Sequence, residues 1–284
     1  MNARDEVLIS TEALEKALTS PDLITVDASW YLPTMGRDAA KEYRARRIPG
    51  AVFFNIDDIS DPNSSLPHMM PPAHVFASKM RKLGIGDGKR IVVYDGYGFL
   101  SAPRVWWMLK TMGARDVAVL DGGFPKWESE GRPIDDLPPV PRDERHFTAR
   151  LDNTAISNAD AVGAALATGR AHVIDARPAA RFRGEAEEPR PGVRSGHMPG
   201  SANLPFDGLV NADGTLKSDE DLRVAFESAG WEPGKKVITS CGSGVTAAVL
   251  TMALTILGEK NLTLYDGSWA EWGADEERPI GTAL

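Results

Sequence analysis

The feature that most constrains this chain is an internal duplication. Residues 89–127, KRIVVYDGYGFLSAPRVWWMLKTMGARDVAVLDGGFPKW, run parallel to residues 235–272, KKVITSCGSGVTAAVLTMALTILGEKNLTLYDGSWAEW. Asp95 aligns with Cys241, and after a one-residue slip Gly113, Asp121, Gly122 and Trp127 align with Gly258, Asp266, Gly267 and Trp272. Upstream, TVDASW (25–30) matches VIDARP (173–178), and IPGAVFFN (48–55) matches MPGSANLP (198–205). The spacing is far too long for a solenoid and marks a duplicated domain. A length of 284 residues suits two domains, each able to bury its own core. The prolines of DDLPPVPRDERHF (135–147) disfavour helix and central strand, so this stretch reads as an extended connector. The boundary is placed near residue 142, dividing the chain into domains 1–141 and 142–284.

Within each copy, apolar runs of strand length alternate with helical periodicity. The runs are Leu23–Val26, Ile91–Tyr94 and Val117–Leu120, then His172–Ile174, Lys236–Thr239 and Leu262–Tyr265. Between them, Ala102, Val105, Trp106 and Leu109 show the i, i+3, i+4, i+7 spacing of a helix face. The expected fold class is α/β: in each copy a mostly parallel open sheet with helices on both faces. Such sheets bind ligands beyond the carboxyl ends of their strands. That rule points to the loop after Lys236–Thr239, where Cys241 sits.

Composition narrows the chemistry. A net charge of −8 argues against a nucleic-acid surface, which needs a clustered basic face. It leaves room for an anionic small molecule, because a local arginine cluster can reverse the field inside one cleft. With 1 cysteine the chain can form neither an intrachain disulfide nor a cysteine-based zinc site, and a lone thiol suits a reducing compartment. The scattered histidines lack ligand spacing, so no metal or organic cofactor is expected. MNARDEVLISTEALEKALTS offers no signal-peptide core, and the apolar run Ala247–Leu257 is too short to span a bilayer. The expectation is a cytoplasmic protein without membrane attachment.

Residues 236–252 read as strand (KVITS), loop (CGSGVT) and helix (AAVLTM). Gly242 and Gly244 permit a tight turn with successive N–H groups pointing inward, and the helix N-terminus adds partial positive charge. A thiolate is favoured in such a cradle, and so is the anionic outer sulfur of a persulfide. The alternative, an inert buried cysteine, does not account for the flanking glycines. A cysteine phosphatase would need an arginine six residues after the cysteine, where Ala247 stands.

The chain resembles the tandem rhodanese-domain family, and CGSGVTA (241–247) resembles the active-site loop of its 3-mercaptopyruvate sulfurtransferases. HMPGSANLPF, RIPGAVFFNID, SAPRVWW and both DG-x-x-x-W endings extend the resemblance over nearly the whole chain. It implies a silent N-terminal copy, which fits Asp95 opposite Cys241, since a carboxylate cannot accept sulfane sulfur. It also implies that Cys241 carries sulfur as a persulfide from a small anionic donor to an acceptor: thioredoxin, a small thiol or cyanide. Relatives that prefer thiosulfate carry basic residues just after the cysteine; Gly242 and Ser243 favour mercaptopyruvate instead.

That donor needs a clamp for its carboxylate, and the guanidinium fork of arginine suits one. RFRGEAEEPR (181–190) resembles the family's substrate loop, which assigns the clamp to Arg181 and Arg190. Composition alone reads this stretch as a solvated loop in which Glu185, Glu187 and Glu188 pair with the arginines. NIDDISDPNSSLPHMMP (55–71) resembles the loop that supplies Asp57 and His68, which with Ser243 would form a relay stabilising the departing enolate. Gly242, Gly244, Val245 and Thr246 complete the expected donor-binding loop. A thiosulfate sulfurtransferase and a non-catalytic rhodanese-type binding module remain as alternatives.

Overall fold

The computed structural model describes residues 3–282. By contacts the chain divides into two compact units. Unit 1 comprises 1–62, 70–152 and 211–216; unit 2 comprises 63–69, 153–210 and 217–284. Two short segments are therefore exchanged in sequence, and the change of unit falls at Asp152/Asn153, downstream of the proline-rich connector. Residues 135–152 stay with unit 1 because they are tied there. Phe147 is buried edge-on against Phe76, and Thr148 donates through both its amide and its hydroxyl to Asp87.

Unit 1 holds strands β1 (Leu8–Ile9), β2 (Leu23–Asp27), β3 (Val52–Phe53), β4 (Arg90–Tyr94) and β5 (Val117–Leu120). They form one parallel sheet in the order β1-β5-β4-β2-β3. Unit 2 repeats it with β6 (Ile156–Ser157), β7 (Ala171–Asp175), β8 (Ala202–Asn203), β9 (Lys236–Ser240) and β10 (Leu262–Tyr265), in the order β6-β10-β9-β7-β8. All pairings are again parallel. Matching topology in both halves is the structural counterpart of the sequence duplication.

The central strands are buried on both faces, as β2 is throughout, which explains why they read as unbroken apolar runs. The helices that follow β4 and β9, Ala102–Thr111 and Ala247–Ile256, are buried almost all round and accordingly lack a polar face. More exposed helices begin at polar caps. Asn158 accepts from the Ala161 amide, and Ser218 accepts from the Asp221 amide. Trp127 and Trp272 close their repeats as packing residues, each indole N–H donating to a downstream proline carbonyl, Pro133 and Pro279. Arg104 is also fully buried, its guanidinium 4.6 Å from the Trp107 ring centroid. No helix among the described residues is long and apolar enough to cross a membrane.

Candidate active site

In unit 2, β9 ends at Ser240 and the chain turns through Cys241–Thr246 into the helix Ala247–Ile256. Cys241 lies in that turn, 2% exposed. The turn is held from one side by the start of the helix Ser268–Trp272. Ser268 Oγ accepts from the amides of Cys241 and Gly244, each at 3.1 Å, and donates to the Tyr265 carbonyl at 2.7 Å. The Trp269 and Ala270 amides donate to the carbonyls of Cys241 and Gly242. Ser268 adopts φ +51°, a left-handed value that costs a non-glycine residue about 1 kcal/mol or more. Its repeat counterpart is Gly123, at φ +59° without that cost. The hydroxyl offsets the strain by pinning the cysteine turn.

Copy one shows what the same turn does with an anion. Asp95 stands at the cysteine position, and its carboxylate accepts from five backbone amides: Tyr97, Gly98, Leu100, Ser101 and Ala102, at 2.6–3.0 Å. The strand–turn–helix unit is thus a nest of inward N–H groups. By the repeat alignment, the corresponding amides in copy two belong to Ser243, Gly244, Thr246, Ala247 and Ala248.

Around the mouth of the cysteine turn stand the other expected residues of unit 2. Ser243 is 5% exposed. Its hydroxyl accepts from Arg190 Nη2 at 3.2 Å and lies 3.1 Å from Nδ1 of His68, which is itself 6% exposed. The His68 backbone is left-handed, at φ +62°. Arg181 approaches the next residue: a Cβ on Gly242 would lie 3.1 Å from Arg181 Nη2 and 3.9 Å from Arg190 Nη1. Glycine at 242 leaves that space to the two guanidinium groups. Gly244 takes φ +76°, which glycine reaches without strain, and Val245 is buried where the turn enters the helix. Thr246 stands at the N-cap position of that helix, half-buried and without a side-chain capping hydrogen bond.

Asp57 belongs to unit 1, exposed, in the turn after β3, where its amide donates to Asn55 Oδ1 and its carbonyl accepts from Ser60. The structure therefore brings His68, Ser243, Arg181, Arg190 and Cys241 into one unit and assigns Asp57 to the other.

Three residues beyond the expected set, Glu188, Arg177 and Asp175, shape the arginine cluster. Glu188 holds Arg181 side-on, through Nε at 3.2 Å and a closer contact to Nη2. Glu188 also accepts from Arg177 Nη1 at 2.7 Å, and Arg177 is paired in turn with Asp175 at 2.8 Å. Burial is nearly complete: 0% for Asp175, 1% for Arg177 and 4% for Glu188, against 16% for Arg181. Arg177 also stacks 4.4 Å from the Trp269 ring centroid. Reading 181–190 as a solvated Arg/Glu loop holds for Arg183 and Glu185, which pair in the open. It fails for Glu188, which is inside. The signal for Arg177 was present in the repeat, where Ser29 of TVDASW becomes Arg177 of VIDARP. Among the described residues, no group of three or more His, Cys, Asp or Glu side chains is arranged to hold a metal ion.

The rhodanese-like domain family matches residues 10–130 and again 158–275. The 3-mercaptopyruvate sulfurtransferase of Escherichia coli K12 is 42% identical over 273 residues, which cover 96% of each chain. The thiosulfate sulfurtransferase of Gallus gallus is 38% identical, over 92% of this chain and 90% of its own. Among solved structures, the Escherichia coli 3-mercaptopyruvate sulfotransferase SseA superimposes with a TM-score of 0.85 at 40% identity. That match covers 92% of this chain and 98% of the other.

Proposed function

The chain belongs to the tandem rhodanese-domain sulfurtransferases, and we propose that it moves sulfane sulfur from 3-mercaptopyruvate through a persulfide on Cys241. The thiolate of Cys241 attacks the donor sulfur, the C3–S bond breaks, and its electron pair becomes the enolate of pyruvate. The donor's thiol proton is taken up by that enolate at C3, releasing pyruvate and leaving Cys–S–S⁻. An acceptor thiol then takes the outer sulfur as its own persulfide and regenerates the Cys241 thiolate; cyanide would take it as thiocyanate.

The observation that carries this reading is the chain of contacts Arg190–Ser243–His68 beside the cysteine turn. Ser243 Oγ spends a lone pair on Arg190, so its own proton is available to hydrogen-bond the ketone oxygen as charge develops there. His68 Nδ1, 3.1 Å from Ser243 Oγ, holds that hydroxyl in place while the donor's own thiol proton goes to C3. Asp57 is retained as the proposed third member of the relay. Arg181 and Arg190 bind the donor carboxylate. The Asp95 nest supports the second half of the scheme. A carboxylate Oδ is as many bonds from the backbone as the outer sulfur of a cysteine persulfide, and five amides satisfy it.

Thiosulfate is the second donor to consider, because the Gallus gallus relative is named for it. Its sulfite leaving group departs with its charge and needs no proton, so the Ser243–His68 pair would be idle. The turn also carries no basic side chain next to Cys241. We assign the protein's work to a reducing compartment such as the cytoplasm, with thioredoxin or a small thiol as acceptor, because the lone thiol must return to its reduced form. The copies are proposed to divide near residue 142 into a silent and a catalytic domain. Intact mass after incubation with mercaptopyruvate, without acceptor, should rise by one sulfur atom and return on adding thiol. Sulfur still carried by Cys241→Ser would overturn the mechanism, and a chain that never gains sulfur from either donor would be a binding module.

A further inference from the structure

We propose that Glu188 is a specificity-determining residue that tunes the donor pocket to a monoanion; the inference rests on the mercaptopyruvate reading above. Glu188 occupies the side-on edge of Arg181, Nε and Nη2 together, which leaves the end-on edge of the fork for a donor. It is held in place by Arg177, which is anchored by Asp175, and all three are nearly inaccessible to water. The four side chains Asp175, Arg177, Glu188 and Arg181 are neutral as a group.

Two consequences follow from one carboxylate. First, Arg181 is oriented before a donor arrives, with Nη2 beside the glycine that follows the cysteine. Second, the positive charge Arg181 presents to that space is largely cancelled by a carboxylate within hydrogen-bond distance. A donor with one negative charge needs little more than an oriented fork. A dianion such as thiosulfate would gain about twice as much from an uncompensated guanidinium, since Coulomb energy scales with the charge it meets. Screening is weak here because the group is buried. Glu188 therefore improves the geometry for a carboxylate while withholding the field that a dianion would exploit.

The test is Glu188→Gln, which preserves shape and an acceptor oxygen but removes the charge. Single-turnover kcat/KM is measured for both donors, as pyruvate release from mercaptopyruvate and sulfite release from thiosulfate. The expected result is a fall with mercaptopyruvate, a rise with thiosulfate, and a donor ratio shifted about tenfold. Glu188→Asp, which keeps the charge, should keep the wild-type ratio. Parallel losses with both donors, or no change in either, would overturn the proposal by making Glu188 structural or irrelevant. A ratio moved only by loss of mercaptopyruvate use would also overturn it, because the charge would then play no part. If Glu188→Gln does not fold, Arg181→Gln is compared with Arg181→Gln/Glu188→Gln, which removes both partners of the ion pair. The double variant should use thiosulfate several-fold better than the single one, and equality would refute the idea. Should wild-type Cys241 take sulfur from neither donor, the parent reading fails instead, and that outcome is visible in the same assay.

Discussion

Asp27 closes β2 of unit 1 and is 4% exposed, with the Ser29 amide donating to it at 2.9 Å. Its repeat counterpart Asp175 is equally buried but paired with Arg177. Burial, with a smaller contribution from the nearby Asp95 carboxylate, pushes the Asp27 carboxyl up from 3.8 to about 6. The folded state thus binds this proton more tightly than the unfolded chain does. Between about pH 4 and pH 6 stability falls as pH rises, and above pH 6 the loss is complete. At about 1.4 kcal/mol per pH unit, the rise corresponds to about 3 kcal/mol. Asp27→Asn removes the titration and keeps an acceptor for the Ser29 amide, while burying a neutral amide costs about 1 kcal/mol. The variant is therefore expected to be more stable by about 2 kcal/mol at pH 8 and no more stable than wild type at pH 4. Two units need not unfold together, so the assay is hydrogen exchange read on β2 and β4 rather than a global midpoint. At pH 8 their amides should exchange roughly thirtyfold more slowly in the variant. A difference equal at both pH values, or faster exchange in the variant at pH 8, would refute the reasoning.

Arg181→Ala and Arg190→Ala should each lower the rate of persulfide formation from mercaptopyruvate by the equivalent of about 1.5–3 kcal/mol, the cost of a charge-assisted hydrogen bond. Discharge of the persulfide to a neutral thiol should change far less; equal losses in both half-reactions would make these arginines structural. The double change Gly242→Arg/Ser243→Lys should shift the kcat/KM ratio toward thiosulfate by about tenfold, or about 1.4 kcal/mol. It brings cations to the cysteine but also crowds Arg181, whose Nη2 lies 3.1 Å from a Cβ at 242. A ratio that stays put in the folded variant would remove loop charge as the basis of donor choice.

The sequence showed the duplication, the six central strands and the cysteine turn because each is written in consecutive residues. The outer strands β1, β3, β6 and β8 are two residues each, too short for any periodicity to register. The alignment of IPGAVFFN with MPGSANLP nonetheless contained β3 and β8 unrecognised. Site residues followed the same division. Cys241, Gly242 and Gly244 were legible as candidates from the turn they build, and Ser243 only through resemblance. His68 and the arginines were legible only through resemblance, because their approach to Ser243 depends on distant segments. Ser268 was hidden by its neutral look: a serine after Asp-Gly gives no sign that its hydroxyl will accept two amides at left-handed φ. Glu188 was hidden among other glutamates, and only burial separates it from Glu185.

The nest around Asp95 gives the two halves of the chain different life histories. Copy one carries its anion as a permanent side chain, so its turn is occupied whether or not sulfur is being moved. Copy two, on the scheme above, receives and surrenders its anion once per turnover, and the matching amides must manage both an occupied and an empty turn. Heterogeneity would then be confined to one half of a duplicated molecule and kept in step with catalysis. On that scheme copy one would serve as an internal reference, against which each sulfur atom that arrives or leaves can be read as a local change at residues 241–248.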